Sequence, residues 1–89
     1  MTRLHRFLRP APSVIFQRLG DEGALIRLPT ERIYELNQTA TRLWEMLMAG
    51  SDRAQIEQQL LQEFDLDERQ LAPEIETFLA MLASEGLAE

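Results

Sequence analysis

Apolar residues recur at two different periods along the chain, and the change between them predicts two kinds of secondary structure. Three short apolar runs, rich in β-branched residues, occupy 14–19, 24–28 and 32–36. Turn residues at 20–23 and at Pro29-Thr30 separate the runs. This spacing predicts a three-stranded antiparallel meander. The run 24–28 is then central, and the other two runs form the edges of the sheet.

After Asn37, apolar residues recur every three or four positions, as on one face of a helix. Asn37 is a suitable N-cap, because its side-chain oxygen can accept a free backbone N–H. The first predicted helix ends at Gly50, and a second opens at residues 51–52. A third runs from about Asp67 to Gly86. The apolar stripes of the three helices are Ala40, Leu43, Trp44 and Leu47; Ile56, Leu60 and Phe64; and Leu71, Ile75, Phe78, Leu79 and Leu82.

The order of elements predicts one α+β domain over residues 13–88. Neither the sheet nor the helices can bury an apolar face alone, so the two halves must pack together. The pattern is compatible with a winged-helix-like domain, a three-stranded antiparallel sheet followed by three helices. Residues 1–12 hold three arginines and two prolines and are predicted to be a flexible basic segment. Pro73 implies that the third helix either starts near it or bends there.

Composition excludes several classes of function. The chain has 89 residues and no cysteine, which rules out disulfides, iron–sulfur clusters and thiolate metal sites. The one histidine, His5, has no second histidine beside it, so no zinc site is expected. No apolar run is long enough to span a membrane or to serve as a signal peptide. We therefore expect a cytoplasmic protein.

Charge is divided unevenly along the chain. The formal net charge is −6, but residues 1–20 hold four arginines and no acid, so the remainder carries −10. Because residues 21–89 carry this negative charge, they repel phosphates, which argues against a nucleic-acid partner. This charge suits a partner rich in lysine or arginine, although an acidic surface that only maintains solubility would have the same composition.

No arrangement of residues indicates catalysis. The three serines stand beside no plausible base, and the scattered glycines form no phosphate-binding loop. The acids Asp65, Asp67 and Glu68 suit a helix N-terminus better than a catalytic pair. We therefore expect a protein that is not an enzyme and holds neither a cofactor nor a metal.

The third predicted strand offers unpaired backbone groups to an incoming strand, because it lies at an edge. Its side chains alternate between two faces, with Arg32, Tyr34 and Leu36 on one and Glu31, Ile33 and Glu35 on the other. The first set is expected to face the helices. Beside its apolar stripe, the third helix carries a second row: Glu74, Thr77, Met81 and Ser84. These features predict a groove for an extended, basic-flanked peptide, unless Met81 only fills a gap beside the core.

One spacing in the chain resembles the central motif of the PqqD-like family: Tyr34-x-Leu36-Asn37-x-Thr39-Ala40-x-x-x-Trp44-x-x-Leu47. The resemblance extends over about residues 13–88, through Gly23-Ala24-Leu25-Ile26 upstream and Phe64-Asp65-Leu66 and Phe78-Leu79-x-x-Leu82 downstream. Members of this family are leader-recognition domains, also called RiPP recognition elements, of pathways that make natural products from ribosomal peptides.

The resemblance implies a winged-helix-like fold in which a leader peptide adds as a strand beside the third strand and the third helix. Carried over by position, the peptide-binding residues are Glu31, Arg32, Ile33, Tyr34, Glu35, Glu74, Thr77, Phe78, Met81 and Glu85. The positions of Leu36, Asn37 and Trp44 are interpreted as structural. The bound precursor peptide would be presented to a maturation protease or another modifying enzyme. The short chain favours the leader-binding protein of a lasso-peptide system over the pyrroloquinoline quinone peptide chaperone, PqqD proper.

Three other functions compete with leader binding. A winged-helix DNA-binding protein needs basic residues on its recognition helix, whereas the third helix here carries more acids than arginines. A small enzyme subunit or cofactor carrier needs ligand residues that the chain lacks. A generic protein–protein adaptor would use the same edge strand without a peptide, and this alternative stays open.

Overall fold

The computed structural model describes residues 9–89, in which three strands precede three helices. The strands β1 (Val14–Leu19), β2 (Glu22–Arg27) and β3 (Arg32–Leu36) form one antiparallel sheet in the order β1-β2-β3. The helices are α1 (Gln38–Met48), α2 (Arg53–Glu63) and α3 (Glu68–Glu85). The predicted α+β fold is therefore confirmed. None of the helices between residues 9 and 89 is long and apolar enough to cross a membrane.

Strand β2 begins two residues earlier than the sequence pattern predicts. The predicted turn over 20–23 is wrong for its last two residues, which belong to β2. Gly23 pairs with residues of both β1 and β3. A Cβ on Gly23 would lie 2.9 Å from Cε1 of Phe16, so the glycine allows close packing inside the sheet. Leu28 falls outside β2, and its backbone N–H donates to the carbonyl of Ser13 at 2.8 Å.

Each helix begins beside a residue whose side chain caps it. Asn37 caps α1 as predicted, while Asp52 and Asp67 form reciprocal capping boxes at α2 and α3. Helix α3 begins at Glu68, which confirms the predicted start around Asp67, and the alternative start near Pro73 is wrong. Pro73 lies inside the helix, where its missing N–H removes one intrahelical hydrogen bond.

Helix α1 lies at the centre of the fold. It contacts β2, β3, α2 and α3, and its apolar face is almost fully buried, with Leu43 1% and Trp44 2% exposed. The Trp44 ring lies 6.1 Å from the ring of Phe16 on β1. The buried apolar core consists of Val14, Leu25, Leu36, Leu43, Trp44, Met46, Leu47, Ile56, Leu60, Leu71, Ile75, Phe78, Leu79, Leu82 and Leu87.

The first described residues pair with the C-terminus. The N–H of Ala11 donates to the carbonyl of Leu87 at 3.0 Å, and Arg9 and Glu89 exchange two backbone hydrogen bonds. Most of the predicted flexible segment, residues 1–12, lies outside the described residues. The division into that segment and a domain over 13–88 stays a prediction. Arg9 and Ala11, which belong to the segment, nevertheless form backbone hydrogen bonds with the C-terminal end of the domain.

A chain of ion pairs joins β1, α1 and α2. Nε and Nη2 of Arg42 donate to the two carboxylate oxygens of Glu63 at 2.7 and 2.8 Å. Nη1 of Arg42 donates to Glu45 at 2.9 Å, and Glu45 also accepts from Arg18 at 2.7 Å. The hydrogen bonds from Arg42 lower the pKa of Glu63 from 4.5 to about 2. The carboxylate form of Glu63 is therefore favoured by folding.

Replacing Trp44 with alanine is expected to reduce the free energy of unfolding by about 3–5 kcal/mol, because the side chain is buried against the sheet. Urea denaturation followed by circular dichroism measures the loss. Ile15→Ala is the control, since Ile15 is 50% exposed and its truncation is expected to cost much less. A similar loss in both variants would contradict the central position of Trp44.

Replacing Glu63 with glutamine is expected to reduce stability at neutral pH by about 1 kcal/mol or less, because solvent screens this partly exposed pair. The folded-state pKa is lowered, so the contribution of Glu63 is present above about pH 4.5 and is lost as the pH falls towards 2. The difference between wild type and variant should therefore shrink over this range in urea titrations. A difference that does not change with pH would show that the Glu63 pKa is not lowered by folding.

Candidate functional site

Strand β3 forms an edge of the sheet, and no strand within residues 9–89 pairs with its outer side. The side chains alternate as expected, with Leu36 3% exposed, Tyr34 half-buried and Ile33 61% exposed. An edge of this kind presents backbone N–H and C=O groups to an incoming strand. The strand is thus placed to accept an extended peptide.

A groove lies between β3 and α3, and the start of α1 forms its floor. The cavity in the groove has a volume of about 340 Å³. Its lining comes from the end of β3, the first half of α1 and the middle of α3: Glu35, Leu36, Asn37, Thr39, Ala40, Leu43, Pro73, Glu74, Thr77, Phe78 and Met81. Six of these eleven residues are apolar, so the cavity favours an apolar group.

At one end of the groove, Glu85 ties α3 to the sheet. The hydroxyl of Tyr34 donates to Oε1 of Glu85 at 2.9 Å, and Nη1 of Arg32 lies 3.7 Å from the same oxygen. Arg27 donates to the backbone carbonyl of Glu85. The guanidinium of Arg32 also lies 5.2 Å from the centroid of the Tyr34 ring, which adds a cation–π contact. These contacts hold β3 at a fixed distance from the C-terminal end of α3.

The middle of α3 lines the rest of the groove. Oε2 of Glu74 is buried and has no hydrogen-bond partner among the described residues. Thr77 is exposed, and Met81 is partly buried against the core. Buried polar atoms are usually paired, so Glu74, which lines a mainly apolar cavity, is unusual in carrying an acceptor that no described residue satisfies.

The structure places the ten predicted peptide-binding residues in three groups. Five line the cavity: Glu35, Glu74, Thr77, Phe78 and Met81. Three form the closed end of the groove: Arg32, Tyr34 and Glu85. Two lie in neither place, since Glu31 precedes β3 with a φ of 57° and Ile33 is exposed on the outer face of the sheet. The assignment of these ten residues to peptide binding stays a prediction.

Sequence reasoning missed the floor of the cavity, formed by Asn37, Thr39, Ala40 and Leu43. It also missed two residues of the walls, Leu36 on β3 and Pro73 on α3. Leu36 and Asn37 are structural, as interpreted, because one is buried and the other caps α1. They also line the cavity. The small residues Thr39 and Ala40 are the pattern that could have revealed it. Small side chains at the start of a helix that directly follows an edge strand leave space beside that strand.

The groove offers two means of binding and no metal centre. The open edge of β3 can form main-chain hydrogen bonds, and the cavity can accept side chains from a bound strand. No group of three or more His, Cys, Asp or Glu side chains between residues 9 and 89 is arranged to hold a metal ion. The geometry therefore suits recognition of a peptide.

A family model for coenzyme PQQ synthesis protein D (PqqD) matches residues 22–88, a span that includes both walls and the floor of the groove. No curated protein sequence matches the chain. Solved structures with a similar fold include TbiB1 in complex with the TbiA(beta) leader peptide, which is 25% identical with a TM-score of 0.76. That match covers 90% of this chain and 93% of the other. A lasso peptide synthetase B1 complexed with the leader peptide is 21% identical, with a TM-score of 0.80 over 96% of this chain and 99% of the other.

Replacing Tyr34 with phenylalanine is expected to reduce the free energy of unfolding by about 0.5–1.5 kcal/mol, because the hydrogen bond to Glu85 is lost. Urea denaturation measures the loss, and Glu85→Ala, which removes the acceptor, serves as the second member of a double-mutant cycle. If the two losses add fully in the double variant, the hydroxyl and the carboxylate do not interact, and the closed end of the groove is not held by this bond.

Proposed function

Since the chain belongs to the PqqD family, we propose that it binds the leader region of a ribosomally synthesised precursor peptide as an added strand on β3. In this proposal it is the leader-binding protein of a lasso-peptide maturation system. It presents the bound precursor to a maturation protease or another modifying enzyme and performs no chemistry itself. The observation that carries the proposal is the open edge of β3 beside a cavity of about 340 Å³.

Backbone pairing alone does not account for useful affinity. An added strand of about six residues forms roughly 4–6 main-chain hydrogen bonds, each contributing about 0.5–1.5 kcal/mol. Ordering the peptide costs about 1–2 kcal/mol per residue, so these two effects nearly cancel. One or two apolar side chains buried in the cavity would each contribute about 1.5–3 kcal/mol. The cavity is therefore the source of affinity, and the strand edge sets the direction of the peptide.

The lasso-peptide assignment is favoured over PqqD proper by the structural comparisons. TbiB1, at 25% identity, was solved with a leader peptide, and its fold matches nearly the whole of both chains. A lasso peptide synthetase B1 of the same fold was also solved with the leader peptide. PqqD proper, a peptide chaperone of pyrroloquinoline quinone synthesis, is the second candidate, because the matching family model carries that description. Both candidates bind a precursor peptide, and they differ in the peptide and in the enzyme that receives it.

The experiment is a titration of the ¹⁵N-labelled protein with leader peptides encoded beside its gene, followed by NMR. We expect the largest amide shifts in β3 and in the half of α3 that lines the groove, and micromolar or tighter binding, equivalent to about −8 kcal/mol or stronger. Lasso-type and PqqA-type leaders are compared in the same series. Shifts confined to β1, or no shifts with either leader, would contradict the proposal.

Met81→Lys is expected to weaken leader binding at least about tenfold, equivalent to about 1.4 kcal/mol, because it places a charge in the cavity. Ala80→Lys is the matched control, since Ala80 is exposed on the same helix and does not line the cavity. Thr77→Lys repeats the test at an exposed position, where loss of core packing is not an issue. If both cavity variants bind leader as tightly as Ala80→Lys, the peptide lies elsewhere.

A further inference from the structure

One residue that lines the cavity beside β3 carries a polar atom that the described residues leave unsatisfied. Glu74 belongs to the lining, and its buried Oε2 accepts no hydrogen bond from them. An unpaired buried carboxylate oxygen is more costly than an unpaired neutral group, because the penalty of removing a charged group from water is larger. A ligand group that donates to the Glu74 carboxylate would offset this cost.

The charged residues of the lining have one sign. Glu35 and Glu74 belong to it, although the side chain of Glu35 lies on the same strand face as the exposed Ile33, and no arginine belongs to it. Two of the arginines beside β3 and α3 pair with other carboxylates, Arg32 with Glu85 and Arg53 with Glu76. No described residue lining the cavity supplies a countercharge for Glu74. A cationic ligand group would supply one, and a charge-assisted hydrogen bond is stronger than a neutral one.

The rest of the lining suits an aliphatic chain. Leu36, Leu43, Phe78 and Met81 present apolar surface, and the volume of about 340 Å³ is at the small end of ligand pockets. Lysine and arginine side chains combine an aliphatic stem with a cationic tip and commonly lay the stem along apolar surface. The apolar wall of the cavity therefore suits the stem of such a side chain, and the Glu74 carboxylate suits its cationic tip.

We infer that the groove binds one lysine or arginine side chain of the leader peptide, with the stem on the apolar wall and the cationic tip donating to Glu74. The inference rests on the proposed function, because the leader is the peptide that brings this side chain to β3. It makes Glu74 a residue that determines which leaders bind. A leader with an uncharged side chain at this position leaves the Glu74 carboxylate without a cationic donor.

The first test uses a small probe, so that it does not depend on the leader. Blocked lysine (Nα-acetyl-lysine methylamide) is titrated into the ¹⁵N-labelled protein and is expected to shift the amides of Glu74, Thr77 and Met81. Blocked norleucine has the same stem without the amine, and blocked Nε-acetyl-lysine keeps a donor without the charge. Both are expected to bind at least about tenfold more weakly, since a hydrogen bond to a charged group is worth more than about 1.4 kcal/mol.

The matched variants are Glu74→Gln and Glu22→Gln, which remove the same charge inside the cavity and at an exposed position outside it. Glu74→Gln is expected to abolish the preference for lysine over norleucine, and Glu22→Gln is expected to keep it. Equal binding of the lysine and norleucine probes to wild type would overturn the inference. Absence of any shift at the cavity amides would overturn it as well.

The second test replaces each lysine and arginine of a binding leader, one at a time, with norleucine. One replacement should weaken binding about tenfold in wild type and less than about twofold in Glu74→Gln. If the leader binds β3 and no replacement has this effect, the inference is wrong and the proposed function stands. If no leader binds while the lysine probe still shifts the cavity amides, the proposed function is wrong instead.

Discussion

The packing of helix α1 between the sheet and the later helices is the constraint on which the groove depends. Leu43 illustrates it, because the residue is 1% exposed in the core and yet lines the cavity. The small residues Thr39 and Ala40 precede it and also line the cavity, so the start of α1 supports both walls without filling the space between them. Glu85 then ties the far end of α3 to Tyr34 and Arg32. The groove is thus a consequence of how the core packs.

Much of the fold follows from periodicity and capping residues. The change of period after Asn37 predicts where the sheet ends and the helices begin, and Asn37 caps α1 as expected. The wrong boundary at the start of β2 has a local cause. Gly23 resembles a turn residue in sequence, but inside β2 the lack of a Cβ leaves room for the ring of Phe16. Asp67 caps α3 at its predicted start, and the capping box there excludes the alternative start near Pro73.

The candidate site was less predictable than the fold, because a cavity depends on three elements at once. Alternation along β3 correctly predicts an exposed Ile33 and a buried Leu36. Spacing on α3 brings Glu74, Thr77 and Met81 to the groove, as expected of the second row on this helix. The floor was missed, since nothing in the α1 pattern alone shows that its first turn lies beside an open strand. No pattern in the sequence predicts that Oε2 of Glu74 is left without a partner among the described residues.

Charge acts at two ranges in this protein. Arginines such as Arg42 and Arg53 bridge neighbouring elements through ion pairs with glutamates, which leaves an excess of acids on the body of the protein. This excess repels nucleic acid and attracts basic segments at a distance, where it mainly affects the rate of encounter. Glu74 is different, because it lines the cavity and its Oε2 has no hydrogen-bond partner among the described residues. A basic residue drawn in by the overall charge would then be held by one specific acceptor.

Within residues 9–89, both edges of the sheet carry unpaired backbone groups, so the strand edge alone does not explain a preference for β3. Pairing of a guest strand nearly balances the entropy that the guest loses, and this holds equally at β1 and β3. The difference comes from what lies beside each edge. Next to β3, the cavity against α3 can bury a side chain of the guest, and Arg32 and Glu35 place charges along the strand. Charged residues on a short edge strand oppose unspecific pairing. Strand β3 is therefore expected to favour a peptide whose side chains fit the groove over a peptide that forms only main-chain hydrogen bonds.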